Sequence, residues 1–533
     1  MLSLSNTSLH DKKAWEKTGF VLPGFDRNDL IERTQKTPKW IHFGAGNVFR
    51  AFIAEINQEL IEKGLYDTGI IVAEGYDGEI IDLAYKPYDN LSISVTLKSD
   101  GSNESKIISC ITEALKMDFK GFNRLKELFT HESLQMLSFT ITEKGYNLKS
   151  SDGVLYSNFA TDLATGPKDP MSFMGKLTAL CHHRYLNGAL PLTLVSMDNI
   201  SSNGQCLHDI IKRFAEEWLT CGLVDEGFLA YVNDPDKLSF PWTMIDKITP
   251  GPGADVARHL RKSGLDIADG ILTSKNTDIA PFVNAEEVGY LIVEDLFVNG
   301  RPPLDKAGVI LTTRETVKKA EKMKVCTCLN PLHTALSIFS CLLGITRVSD
   351  AMKDEDIVKL IKNVAEEGMP VVVDPGILSP KDFADTVINI RLPNPSIPDT
   401  TFRIVTDTSQ KLSTRFGETI KSYLKSDTLN INSLRAIPLA LAAWCRYLVG
   451  LDDNGNSFQL APDPMLVELR PLFSECTLGN STNYKKALSS LLSNPSIFGI
   501  NLYEAGIAPQ VEEYFTDMMK EPGAIRRVLH TYK

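Results

Sequence analysis

Trp40-Ile-His-Phe43-Gly44-Ala-Gly46-Asn47-Val-Phe49-Arg50 is the stretch that decides how this chain is read. A short strand-like run, Trp40–Phe43, passes at once into a glycine turn, and the turn opens a segment with helical spacing. Val48, Phe52 and Ile56 recur on one stripe, joined by Phe49, Ile53, Leu60 and Ile61, and Gly64 is placed as a C-cap. Strand, glycine turn and helix in that order suit a pyrophosphate, which sits against backbone N–H groups at a helix N-terminus. A Cβ at Gly44 or Gly46 would obstruct the tight turn or the approach of the phosphate. The candidate cofactor-binding residues are Gly44, Gly46, Asn47, Phe49 and Arg50, with Phe49 standing where a third glycine is usual. Glu74 joins them because it ends the strand-like run Gly69–Ala73, where a carboxylate meets a ribose and disfavours a 2′-phosphate, so NAD is expected over NADP. An ordinary strand-to-helix turn or a methyltransferase would use similar glycines, and a strand-end glutamate also suits plain solvation.

Working outward, Leu91–Leu97, Leu134–Ile141, Pro191–Ser196 and Tyr290–Val293 also read as strands, several separated by helical spacing, which is an α/β pattern. After Arg301-Pro-Pro303 the character changes: Thr313–Lys324, Pro331–Leu343, Ile357–Glu367 and Leu434–Leu448 look helical. Two domains are expected, 1–300 and 301–533, the second mainly helical, with the boundary placed to within about 15 residues. The whole chain has 533 residues, 43% of them hydrophobic and 23% charged, with no fixed-period repeat, so solenoid and disordered readings fall away. Its net charge of −11 argues against a general nucleic-acid or membrane surface and leaves small anions possible. Nine cysteines, with Cys326 and Cys328 only one residue apart, indicate neither a disulfide framework nor a zinc site. The N-terminus lacks an apolar signal core, and the apolar run near Ile437–Cys445 is short and contains Pro438. A soluble, cytoplasmic protein is expected.

Three polar stretches carry candidate chemistry. Ser196-Met-Asp198-Asn199 follows a strand-like run, and ligands of open α/β sheets bind beyond the carboxyl ends of strands. Asn and Asp also favour turns in any case. In Glu321-Lys-Met-Lys324-Val-Cys-Thr-Cys-Leu-Asn330-Pro-Leu-His333, Pro331 suits the first position of a helix, which makes Asn330 the expected N-cap and puts His333 in the first turn. Glu321 and Lys324 share a helix face. A lysine in an apolar or cationic setting can act as a general base, although a solvated lysine and a structural histidine are the ordinary alternatives. The third stretch, Arg403-Ile-Val-Thr-Asp407-Thr-Ser-Gln-Lys411-Leu-Ser-Thr-Arg415, offers several cations to an anionic or polyhydroxyl ligand, or a charged helix face.

Taken in order, these segments resemble the polyol-specific long-chain dehydrogenase/reductase (mannitol dehydrogenase) family. Gly44–Ala51 is similar to its GxGxFHRA turn, Thr142–Tyr146 to TEKGY, Ser196–Asn199 to SCDN, Met244–Pro250 to MVDRITP, and Asn330–His333 to NxxH. Asp452–Gly455 and Asp463-Pro464 resemble its C-terminal segments. The resemblance implies a Rossmann-type NAD-binding domain followed by a helical domain, with metal-independent hydride transfer between NAD(H) and an acyclic sugar or sugar acid. It implies Lys324 as the catalytic acid/base and Asn199 and Asn330 as donors to the reacting oxygen. His333 would position the substrate, Asp246, Arg403 and Lys411 would contact the sugar chain, and Glu321 would lie on a proton path. Uronate reductases look closest, so D-fructuronate and D-mannonate are the expected pair, ahead of mannitol/fructose and tagaturonate. An idle sugar- or nucleotide-binding protein of the same fold is the contrasting class. One departure stands out: Lys324 precedes Asn330 by six residues, one more than in the family. On a continuous α-helix that residue would turn Lys324 by about 100°, so a bulged Val325–Leu329 is expected to absorb it.

Overall fold

Six parallel strands form the principal sheet of the computed structural model, which describes residues 1–150, 153–480 and 484–532. They are β1 (Trp40–Phe43), β2 (Ile70–Glu74), β3 (Ile111–Lys116), β4 (Met136–Phe139), β5 (Leu192–Ser196) and β6 (Leu238–Ser239), and their order across the sheet is β3-β2-β1-β4-β5-β6. This is the doubly wound dinucleotide order, in which the winding reverses between β1 and β4 and opens a crevice at the strands' carboxyl ends. Every residue of β1, β2, β4 and β5 is buried, as a parallel sheet covered on both faces requires.

Alternation along the strands sorts the core into two layers. Ile41, Phe43, Ile71 and Ala73 point into a cluster completed by the helices Phe119–Phe129, Phe173–Leu186 and Asn203–Thr220. Trp40, Ile70 and Val72 face the opposite cluster, with Phe49, Ile53, Leu60 and Ile80. The strand-like runs at 91–97 and 290–293 are also strands, Ser92–Leu97 and Tyr290–Glu294, but they belong to two smaller three-stranded sheets.

The chain divides into two compact units, one comprising Met1–Lys98 and Ser102–Lys318, the other Ser99–Gly101 and Lys319–Lys533. The division thus falls beyond the expected residue 300. Leu304 and Val309 fill the first unit's core, and Ile310–Thr312 pairs in parallel with Tyr290–Glu294, so the chain past Arg301-Pro302-Pro303 still belongs to the first unit.

The second unit is helical. Its helix Asn330–Leu342 is apolar nearly all round and packs against Glu355–Gly368, Thr401–Val405 and Ala436–Leu448, as an interior helix should. Among the described residues, Arg314–Leu342 is the one helical stretch long and apolar enough to cross a membrane, and 78% of its most apolar window is buried in the protein.

Candidate active site

At the end of β1 the chain turns through Gly44 at φ +104°, where an added Cβ would lie 2.2 Å from the carbonyl oxygen of Thr140. Only glycine meets both conditions. A Cβ at Gly46 would meet nothing within 4 Å, so that face of the turn is open to a ligand. Between them Ala45 is clamped: its N–H donates to Glu74 Oε2 at 2.8 Å and its carbonyl accepts from Tyr85 Oη at 2.8 Å.

Glu74 is buried at the end of β2, and its other oxygen accepts the N–H groups of Tyr76 (2.7 Å) and Asp77 (3.0 Å). The carboxylate expected to meet a ribose is thus first a structural tie between the glycine turn and the turn after β2.

Phe49 and Arg50, expected among the cofactor-binding residues, are both fully buried behind the glycine turn. Phe49 takes the third-glycine position by stacking on His42, with ring centroids 4.2 Å apart, and burial pushes the His42 imidazole down to about 3. Arg50 donates to Ala280 O at 2.6 Å and to Asn47 Oδ1 at 3.2 Å, while its Nε has no partner. Among the described residues no carboxylate pairs with it, and burial lowers its pKa. An unpaired buried cation behind an open glycine turn fits a pyrophosphate, as does the exposed side of Gly46.

Asp198, after β5, is a second buried carboxylate. It accepts the N–H groups of Ile141 (3.2 Å) and Thr142 (2.8 Å) and the hydroxyl of Tyr146 (2.8 Å). Burial raises its pKa to about 6, against the opposing effect of those bonds. The Thr140–Tyr146 and Ser196–Asn199 segments are therefore fastened together by Asp198, leaving its neighbour Asn199 exposed. Asp246 ends the strand Thr243–Asp246, paired with Tyr290, and is half-buried.

In the second unit, helix Arg314–Met323 gives way to a five-residue π-turn, Lys324–Cys328, closed by Leu329 N–H donating to Lys324 O at 3.1 Å. A π-turn holds one residue more than an α-turn, so the expected bulge is present and takes this form. Lys324 is buried, only 3% exposed. Lys322 lies outside and pairs with Glu418 at 3.1 Å, and Glu321 is half-buried one turn before Lys324.

Asn330 is not the N-cap: Leu329 holds that position with φ −131°, and Asn330 is the first helical residue, with no capping bond. Its amide is left for other use, and His333 follows in the same turn. Burial pushes the His333 imidazole down to about 4; Asp399 opposes this and Arg391, Arg415 and Arg403 reinforce it.

These cations surround the helix start in unequal states. Arg403, expected on the sugar chain, is 70% exposed and makes a bidentate pair with Asp399 at 2.8 and 2.7 Å. Lys411 is half-buried and donates to the carbonyls of Thr406 and Ile404. Burial, then Arg415, lowers it to about 8. Arg415, half-buried, donates to Thr334 Oγ1 at 2.5 Å. Among the described residues neither Lys411 nor Arg415 has a carboxylate within ion-pair distance, whereas Asp463 is occupied by Ser409 and Met465. Arg391 and Arg415 join the candidates only through the structure, although Arg415 closes the basic stretch that also holds Arg403 and Lys411. No group of three or more His, Cys, Asp or Glu suited to a metal occurs among the described residues.

A doubly wound parallel sheet with an open glycine turn at its crevice marks a dinucleotide-binding oxidoreductase fold. Residues 38–306 match the mannitol dehydrogenase Rossmann domain and residues 316–519 the mannitol dehydrogenase C-terminal domain; the chain belongs to the mannitol dehydrogenase family. It is 49% identical over 532 residues to the D-mannonate oxidoreductase of Thermotoga maritima, covering 99% of this chain and 98% of that one. Two solved structures share the fold. One is a substrate-free D-sorbitol dehydrogenase (TM-score 0.79, 22% identity, 96% and 97% covered). The other is mannitol 2-dehydrogenase of Pseudomonas fluorescens in complex with NAD and D-mannitol (TM-score 0.72, 24% identity, 99% of each chain).

Proposed function

We propose that this oxidoreductase interconverts D-fructuronate and D-mannonate, with NAD(H) as its cofactor. The observation that carries the reading is the pair Lys411 and Arg415, two neighbouring cations without carboxylate partners among the described residues, of which Arg415 also faces His333, in a protein of net charge −11. Such cations can also donate to the hydroxyls of a neutral polyol, but a sugar acid gains charge-assisted bonds from them in addition. The 49% identical relative named D-mannonate oxidoreductase supports the same substrate.

NAD(H), held by the glycine turn at Gly44 and Gly46, would supply or accept the hydride. Lys324 takes the hydroxyl proton during oxidation and returns it to the alkoxide during reduction, as a general base and acid. Asn330 donates to that oxygen, a role in which loss of one donor costs about 2.7–4 kcal/mol of transition-state stabilisation. His333, kept neutral by burial, orients the chain of hydroxyls, and Glu321 relays the proton towards solvent. In the first unit, Gly44, Gly46 and Asn47 shape the phosphate turn, and the Glu74 carboxylate at the end of β2 favours NAD by repelling a 2′-phosphate.

The test is oxidation of NADH and NADPH by the purified protein with fructuronate, tagaturonate and fructose. Fastest turnover with fructuronate and NADH is expected; turnover with fructose alone would overturn the substrate, and preference for NADPH would overturn the cofactor.

A further inference from the structure

We infer that Arg415 is the residue that selects a sugar acid over a neutral sugar, gripping the substrate carboxylate through the Nε–Nη2 edge of its guanidinium. This deepens the proposed function and rests on it. Arg415 sits in the wide turn Ser413–Gly417, which is pinned in place because a Cβ at Gly417 would lie 2.1 Å from the Phe498 carbonyl oxygen.

Its Nη1 donates to Thr334 Oγ1 at 2.5 Å, and that hydroxyl donates in turn to Asn330 O at 2.9 Å. One hydroxyl thus ties the guanidinium to the helical turn that carries Asn330 and His333. An arginine has five N–H donors in a rigid fork, and the Thr334 bond is the one this side chain makes among the described residues. The side chain is half-buried, and among the described residues neither Nε nor Nη2 has a hydrogen-bond partner. With Nη1 committed to orientation, the Nε–Nη2 edge is free for two parallel N–H···O bonds, the geometry that matches a carboxylate.

The neighbouring acids do not compete for that edge. Asp399 is engaged by both arms of Arg403, and Asp463 accepts from Ser409 N and Oγ and from Met465 N. Asp407 makes no ion pair with Arg415 and sits in a left-handed turn beside Lys411. Arg403, the more obvious choice by sequence, is exposed and already neutralised. Lys411 supplies a point charge to the same region without the fork.

The test compares kcat/KM for fructuronate with kcat/KM for its methyl ester, which keeps the carbon skeleton and removes the charge. In Arg415→Met the acid-to-ester ratio is expected to fall about 10- to 100-fold, the worth of a charge-assisted bond. Arg415→Lys is expected to recover part of it, and free guanidinium added to Arg415→Met to restore acid turnover selectively. If the ratio stays within about twofold of wild type in the folded variants, equal losses on both substrates included, the assignment is overturned. Failure of the underlying reading shows earlier and separately, as a wild-type enzyme that reduces neither compound.

Discussion

Replacing Glu74 by Gln separates two roles for one carboxylate. Oε1 accepts two N–H groups, from Tyr76 and Asp77, and Oε2 accepts one, from Ala45. A Gln amide fits best with its carbonyl on the Oε1 side, which turns its NH2 against the Ala45 N–H, donor facing donor. One hydrogen bond to a charged acceptor is lost, worth about 1.5–3 kcal/mol, and a buried N–H is left unpaired at about 1–3 kcal/mol. These overlap, so a net loss of about 2–4 kcal/mol is expected, and for a unit of this size that lowers Tm by roughly 3–6 °C. Thermal unfolding of the cofactor-free enzyme reads the structural role, and NADH titration by fluorescence reads the binding role. Because Ala45 sits inside the glycine turn, Kd for NADH should rise together with the loss of Tm. A Tm of the cofactor-free variant within about 1 °C of wild type, with Kd alone changed, would refute the tie and leave Glu74 as a pure ribose ligand.

Gly44→Ala should destabilise severely, by about 3 kcal/mol or more, because its Cβ meets the Thr140 carbonyl and its φ is positive; Gly46→Ala should melt normally yet bind NADH weakly, as calorimetry and titration will show. Lys324→Ala should lower kcat by two or more orders of magnitude (about 10²-fold or greater) with NADH affinity kept, whereas Lys322→Ala, which removes only a surface pair with Glu418, should be near wild type in steady-state assays. The Lys411 ammonium, held down to about 8 by burial and Arg415, is charged below that pH and neutral above it. KM for the sugar acid should therefore climb as pH rises through about 8, and Lys411→Met should lose that limb. His333, down at about 4, should contribute no limb to the profile at neutral pH.

The strand, turn and helix at Trp40–Arg50 were legible because periodicity and glycine placement report local backbone demands, and the buried strands β1, β2, β4 and β5 followed from unbroken apolar runs. What escaped depends on partners distant in sequence. Ile310–Thr312 is three residues long and shows itself only through its pairing with Tyr290–Glu294, so sequence patterning alone does not assign it to the first unit. Phe49 and Arg50 look like turn residues until His42 and Ala280 are seen against them. Arg403 had a clue in plain view, since Asp399 precedes it by four residues and that spacing favours an ion pair. Arg415 shared the basic stretch with Arg403 and Lys411, but nothing local predicts its bond to Thr334, 81 residues away.

The π-turn at Lys324–Cys328 has a bearing on how this chain can change length. A local fault of this kind absorbs an inserted or deleted residue where it occurs, and the helix beyond it keeps its packing unrotated. Three more such turns occur among the described residues, at Phe49–Ile53, Val387–Arg391 and Ser413–Gly417, and each of the four contains one cation: Lys324, Arg50, Arg391 and Arg415. Drift by single residues can thus re-aim a charged side chain one at a time while the surrounding helices stay in register.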